Sequence, residues 1–127
     1  MENNKPFSVN DRGNSFKYAF AGIVAFFNKE HNARIHLAAT IAVIALAVGF
    51  HISTIEAIVL TLAMGFVWSA EIFNTAIEKM MDFISTKKNS KIKFIKDVSA
   101  AAVLVAAVTA LGTGCIIFIP KIVVCFR

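Results

Sequence analysis

From residue 98 to residue 120 the chain carries no charged side chain, and this run does most to decide what the protein can become. Its 23 residues exceed the roughly 20 that an α-helix needs to cross a hydrocarbon core. In such a core every backbone N–H and C=O must find its partner within the segment, so the run predicts a helix. Two further helices with membrane spans are predicted over 35–52 and 55–83, the second apolar as far as Ala70. Composition agrees: 57% of the 127 residues are hydrophobic and only 17% are charged, and the mean hydropathy is +0.70. A soluble domain holds roughly 45–50% apolar and roughly 25% charged residues, and a chain this small cannot bury the excess. The expectation is an all-α integral membrane protein, one domain over 1–127 with three transmembrane helices. A disordered tail, a disulfide scaffold and a multidomain enzyme are excluded.

Residues 1–14 read as a polar tail. Over 15–30, Phe16, Phe20, Ile23 and Phe27 recur at helical spacing, too short a run to span. An amphipathic helix on the membrane surface fits, with Lys17 and Lys29 near the headgroups; a continuation into the first span is the plainer alternative. The 13 Lys and Arg outnumber the 8 acids, and their positions matter more than the sum. Lys5, Arg12, Lys17, Lys29 and Arg34 precede the first span, and Lys79, Lys87, Lys88, Lys91, Lys93 and Lys96 surround the second polar gap. The first gap, around His51 to Glu56, has none. Cytoplasmic flanks carry such an excess, so the N-terminus and the second gap are expected inside and the C-terminus outside. Nucleic acid is a poor explanation of the charge, because no soluble module presents it. Cys115 and Cys125, ten apart on one helix, cannot pair, and no secretory signal is visible. Gly112-Thr113-Gly114 reads as a place for close helix packing.

The residues that resist the composition are Glu71, Asn74, Glu78 and Asp82. At about 100° per residue they fall within about 80° of arc, one narrow face of the second helix. Carboxylates at the edge of hydrocarbon are costly and point to function. Like charges on one stripe repel unless a cation joins them, and helix-borne oxygens suit Mg²⁺ completed by phosphate oxygens. The plainer reading pairs these acids with nearby lysines, which accounts for Asp82 more easily than for Glu71. Glu30, His31, Asn32, Arg34 and His36 gather on the same side, as do Lys96 and Asp97. Carboxylates with adjacent cations are the groups of metal-assisted phosphoryl transfer. No GxxxxGK[ST] or GxGxxG is present, so helices must hold any nucleotide.

Glu71-Ile-Phe-Asn74-Thr-Ala-Ile-Glu78 with Asp82, then Lys96-Asp97 before an Ala-rich span, and Glu30-His-Asn-Ala-Arg34-Ile-His36 before the first, resemble the prokaryotic diacylglycerol kinase family, which includes the undecaprenol kinases. The resemblance covers nearly the whole chain after about residue 12. It implies a homotrimeric helical bundle in the bacterial cytoplasmic membrane, with active sites at subunit boundaries on the cytoplasmic side. ATP would give its γ-phosphate to a lipid alcohol. By the same resemblance Glu71 would be the general base and Asn74 would orient the site. Glu30 and Glu78 would bring Mg²⁺ to the ATP phosphates, Lys96 would neutralise phosphate charge, and Asp97 and Tyr18 would help hold the nucleotide. Arg34 and Asp82 would stand beside this set, and Ser99 and Ala100 would face the lipid. An apolar setting makes a carboxylate the better proton acceptor near neutral pH.

Arg34-x-His36 and Ile119-Pro120-Lys121 resemble the undecaprenol kinase branch; the diacylglycerol branch tends to have an acid where His36 stands. Undecaprenol is therefore the expected acceptor and diacylglycerol the alternative. A proton- or cation-coupled transport subunit, with the acid stripe as a relay, is the more distant reading. A structural subunit without activity would leave the stripe unexplained.

Overall fold

A computed structural model describes residues 9–85, 87 and 89–127, with side chains from residue 12 onward. Readings that concern residues 1–8 and Lys88 lie outside the described residues. Four helices follow one another: α1 (Val9–Lys29), α2 (His31–Gly49), α3 (Thr54–Ile84) and α4 (Ser90–Cys125). No strand occurs among the described residues. The last three are long and apolar enough to cross a membrane, as the hydrophobic runs require.

The boundaries differ from expectation in instructive ways. Residues 9–14, read as tail, belong to α1. The first span starts at His31, ahead of residue 35, because Glu30 adopts an extended conformation (φ −103°, ψ 121°) and separates it from α1. The α1 end is closed by the Glu30 N–H on the Phe26 carbonyl at 3.0 Å and by the Arg34 guanidinium donating to the Asn28 carbonyl at 3.3 Å. The last helix runs through Pro120 to Cys125 and does not stop there. Proline withholds one N–H, but unwinding the turn in hydrocarbon would orphan several groups. The smaller loss prevails.

The α3–α4 pair is the frame. Asp82 meets Lys96, Asn74 meets Ser99, Leu60 packs with Ile117 and Phe118, and Glu56 meets Lys121 at 3.0 Å. Residue numbers rise on one helix as they fall on the other, so the two run antiparallel along almost their full lengths. At the α2–α3 turn His51 takes a left-handed backbone (φ 48°), a region that a non-glycine residue seldom occupies. Ser53 then caps α3: its hydroxyl accepts from the Glu56 N–H at 3.3 Å, and the Glu56 carboxylate accepts from the Ser53 N–H at 2.7 Å.

The apolar face of α1 expected to lie on the membrane surface is largely exposed, and a neighbouring face docks on the bundle. Phe16, Phe20 and Ile23 stay exposed and Phe26 is buried. Phe26 meets Trp68 edge-on with centroids 6.3 Å apart, and Phe27 meets it at 5.2 Å. Trp68 is fixed in turn by its indole N–H on Thr40 Oγ1 at 3.2 Å. Within the single chain no helix packs closely on the glycines of 112–114, since a Cβ on Gly112 or Gly114 would meet nothing within 4 Å among the described residues.

Ser53→Ala removes one half of the reciprocal cap and is expected to cost about 1 kcal/mol. A lowered thermal midpoint of the detergent-solubilised protein would register it, and an unchanged midpoint would deny the cap any weight.

Candidate functional site

Toward the α3 C-terminus the acid stripe turns against α2 and α4. Glu71 is 3% exposed and Asn74 8%; an unpartnered carboxylate at such a depth would be untenable. His36 supplies the partner, its Nε2 lying 2.8 Å from Glu71 Oε1. The His36 ring also lies edge-on to Trp68, centroids 6.3 Å apart. The tryptophan that seats α1 therefore also fixes the histidine. With the proton on Nε2, the imidazole donates to one carboxylate oxygen and leaves the other free.

One turn on, Asn74 joins both neighbours. The Ser99 hydroxyl donates to Asn74 Oδ1 at 2.7 Å, sharing its proton with the Lys96 carbonyl at 2.9 Å. Asn74 Nδ2 donates to Glu78 Oε1 at 3.5 Å, a long bond that still aims the carboxylate. Further along, Lys96 Nζ contacts Asp82 Oδ1 at 2.9 Å. Both lie in the polar extensions beyond the apolar runs, and the hydrogen bond to Asp82, then its charge, holds the Lys96 ammonium above the usual lysine range. Lys93 pairs with Asp97 one turn apart.

Glu30 reaches the stripe from the α1–α2 break. Its Oε1 lies 3.0 Å from Lys79 Nζ, and apart from that ion pair the enclosed oxygen has no hydrogen-bond partner. Because Lys79 follows Glu78, this contact brings Glu30 to the turn that carries Glu78. Two carboxylates from separate elements, one with an enclosed and underused oxygen, suit Mg²⁺, which takes one or two protein carboxylates and completes its shell with phosphate and water. No group of three or more His, Cys, Asp or Glu side chains could hold a metal unaided among the described residues. Beside Lys29, Glu30 and Lys79 a groove of about 560 Å³ opens between α1 and α3.

Of the residues singled out from sequence, Glu71, Asn74, Glu78, Asp82, Lys96 and Ser99 line one side of the α3–α4 junction, with Glu30 drawn in through Lys79. Asp97 is engaged by Lys93 instead, Ala100 is exposed, and Arg34 caps α1. Tyr18 is 72% exposed. The acids do not cluster on one another as their shared face suggests; Asp82 has a lysine, as the plainer reading foresaw, and Glu71 has a histidine. His36 as partner of Glu71, and Lys79 as partner of Glu30, were not anticipated. A signal existed for the first, since each is the earliest ionisable group met when its apolar run is entered from the same end.

A buried carboxylate at the mouth of an apolar bundle, with Glu30, Glu78, Asp82 and Asp97 toward the same end and Glu56 capping the far turn, suits chemistry on a membrane-borne molecule. The chain belongs to the prokaryotic diacylglycerol kinase family, whose model matches residues 17–118; the family consists of membrane lipid kinases. An undecaprenol kinase of Bacillus subtilis is 38% identical over 108 residues, spanning 85% of this chain and 88% of its own length. A diacylglycerol kinase of Synechocystis sp. is 36% identical over 109 residues, spanning 85% of this chain and 62% of its own. Membership sets aside the transport-subunit reading.

Ser99→Ala removes the donor to Asn74 by deleting a single oxygen atom. Leaving Oδ1 buried and unpaired is expected to cost about 1–3 kcal/mol, measured by unfolding in detergent. A neutral result would show that the contact does not clasp the helices.

Proposed function

We propose that the protein phosphorylates undecaprenol, taking the γ-phosphate of ATP to give the lipid phosphate and ADP. The observation that carries the reading is the buried His36–Glu71 pair at 2.8 Å. It leaves one carboxylate oxygen free as proton acceptor at the polar end of the apolar bundle. The undecaprenol kinase of Bacillus subtilis supports the choice of acceptor, because this chain spans most of that protein. Diacylglycerol is the second reading, favoured by the similarity to the Synechocystis protein.

In this mechanism Glu71 takes the proton as the O–H bond of the lipid alcohol breaks and its oxygen forms a bond to the γ-phosphorus; the bond to the ADP oxygen breaks. His36 holds the carboxylate in place throughout. Asn74 is a positioning residue that aims Glu78 and, through Ser99, ties the stripe to α4. Glu30 and Glu78 would hold Mg²⁺, which would neutralise charge on the ATP phosphates. Lys96 adds positive charge at the same end, and Tyr18 and Asp97 contribute to the nucleotide side, with Arg34 and Asp82 flanking. Ser99 and Ala100 stand on the lipid side. The working unit is a homotrimer in the bacterial cytoplasmic membrane, with α1 along its inner surface and the sites at subunit boundaries facing the cytoplasm. The lysines around the second polar gap support that sidedness.

Transfer of ³²P from ATP to undecaprenol is expected to fall by about 10³-fold or more in Glu71→Gln, because a general base alone contributes roughly 10²–10⁴. Retention of the wild-type rate would remove Glu71 from the chemistry. With both lipids at equal surface concentration undecaprenol should be preferred; a clear preference for diacylglycerol would reverse the assignment. His36→Gln keeps an N–H at the reach of Nε2 and should retain most of kcat. His36→Asn, one bond shorter, should lose about tenfold or more, as a misplaced catalytic group does. Equal rates in the two would deny His36 its role.

A further inference from the structure

Between α2 and the α3–α4 pair lies an apolar slot of about 510 Å³, with His36 and Thr40 at one end and Phe118 and Ile122 at the other. Small side chains on α4, Ala107 and Gly114 among them, make the room. We propose that this slot receives the hydrocarbon tail of the acceptor, one chain at a time, so that the protein selects single-tailed prenols. This rests on the lipid-kinase reading and deepens it.

The occupant follows from how the slot is connected. Its polar end is the His36 ring that contacts Glu71 at 2.8 Å, so a molecule with its hydroxyl at Glu71 has its tail led directly into the slot. Along the rest of its length the lining is apolar, and the slot therefore matches a molecule polar at one end only. Ser99 bonds Asn74, and Glu71 is one turn nearer the middle of the bundle. At 1.5 Å per residue, Gly114 then lies roughly 18 Å beyond the carboxylate. A tail of four isoprene units passes that point; a tail of two falls short. A single slot admits one chain, and a two-tailed lipid would have to leave its second tail outside.

The space at Gly114 is open, since a Cβ there would meet nothing within 4 Å among the described residues. A side chain there starts into open space, so Gly114→Leu obstructs the slot. Two readouts on the full-length protein in vesicles test the idea. The first is transfer from MgATP to geraniol and to geranylgeraniol. The variant should raise the ratio of short- to long-chain kcat/KM by about tenfold, mainly through the long-chain KM, as expected when binding common to ground and transition states is removed. The second uses a geranylgeraniol with a diazirine at its far end. In the unsubstituted protein its label should fall within 107–122, and Gly114→Leu should displace it.

An unchanged ratio, or label scattered over outward side chains such as Leu62 and Phe66, would overturn the proposal. So would loss of oligomer in Gly114→Leu, which would give the slot to a second copy of the chain. Label in the slot without phosphate transfer to either alcohol would uphold the tail site and sink the kinase reading alone.

Discussion

Two helices held antiparallel by a few polar contacts carry everything else in this protein. In a bilayer, apolar helices gain little from burial against one another, because lipid is as apolar as they are; packing and hydrogen bonds set the association. The α3–α4 pair uses both. The Ser99–Asn74 hydrogen bond and the Lys96–Asp82 ion pair bind one end, Leu60 fills against Ile117 and Phe118, and Glu56–Lys121 binds the other. A shift of either helix along the other by one turn would break all of these together. Register and the placement of the acid stripe are therefore the same constraint.

The stripe shows how burial is reconciled with charge. Each carboxylate on it is met by a group from a different element: an imidazole from α2 for Glu71, an amide from within α3 for Glu78, an ammonium from α4 for Asp82. Glu30, at the helix break, draws on Lys79. None of these acids relies on another for compensation. The consequence is a row of negative groups that stays ordered before any cation or phosphate arrives.

Much of the architecture was legible in the residues themselves. A charge-free run over 98–120 could hardly be anything but a helix in hydrocarbon, and the offsets of Glu71, Asn74, Glu78 and Asp82 place them on one face whatever surrounds them. Periodicity gives a face but does not name the neighbour. The pairing of His36 with Glu71 joins residues on different helices, and only their matching places at the entrance of two apolar runs hint at it. For the same reason Phe26, lying off the Phe16–Phe20–Ile23–Phe27 line, docks while most of that line does not. Pro120 misled as a helix end because its usual meaning is set by water, which offers a freed carbonyl another partner. Glu30 reads as the last residue of a helix, yet its extended backbone starts the next one.

The uneven strength of the packing has a consequence for how such a protein diversifies. The candidate site resides mainly on α3 and α4, which hold each other, whereas α2 meets them more sparsely, through His36, Thr40, and Val43, Ala47 and Phe50 against the Leu60–Phe118 cluster. Beyond His36, substitutions along α2 can reshape the wall facing the hydrocarbon without moving the stripe. Acceptor preference and phosphate chemistry can then vary separately, the rest of α2 meeting the lipid while His36, α3 and α4 keep the stripe in place.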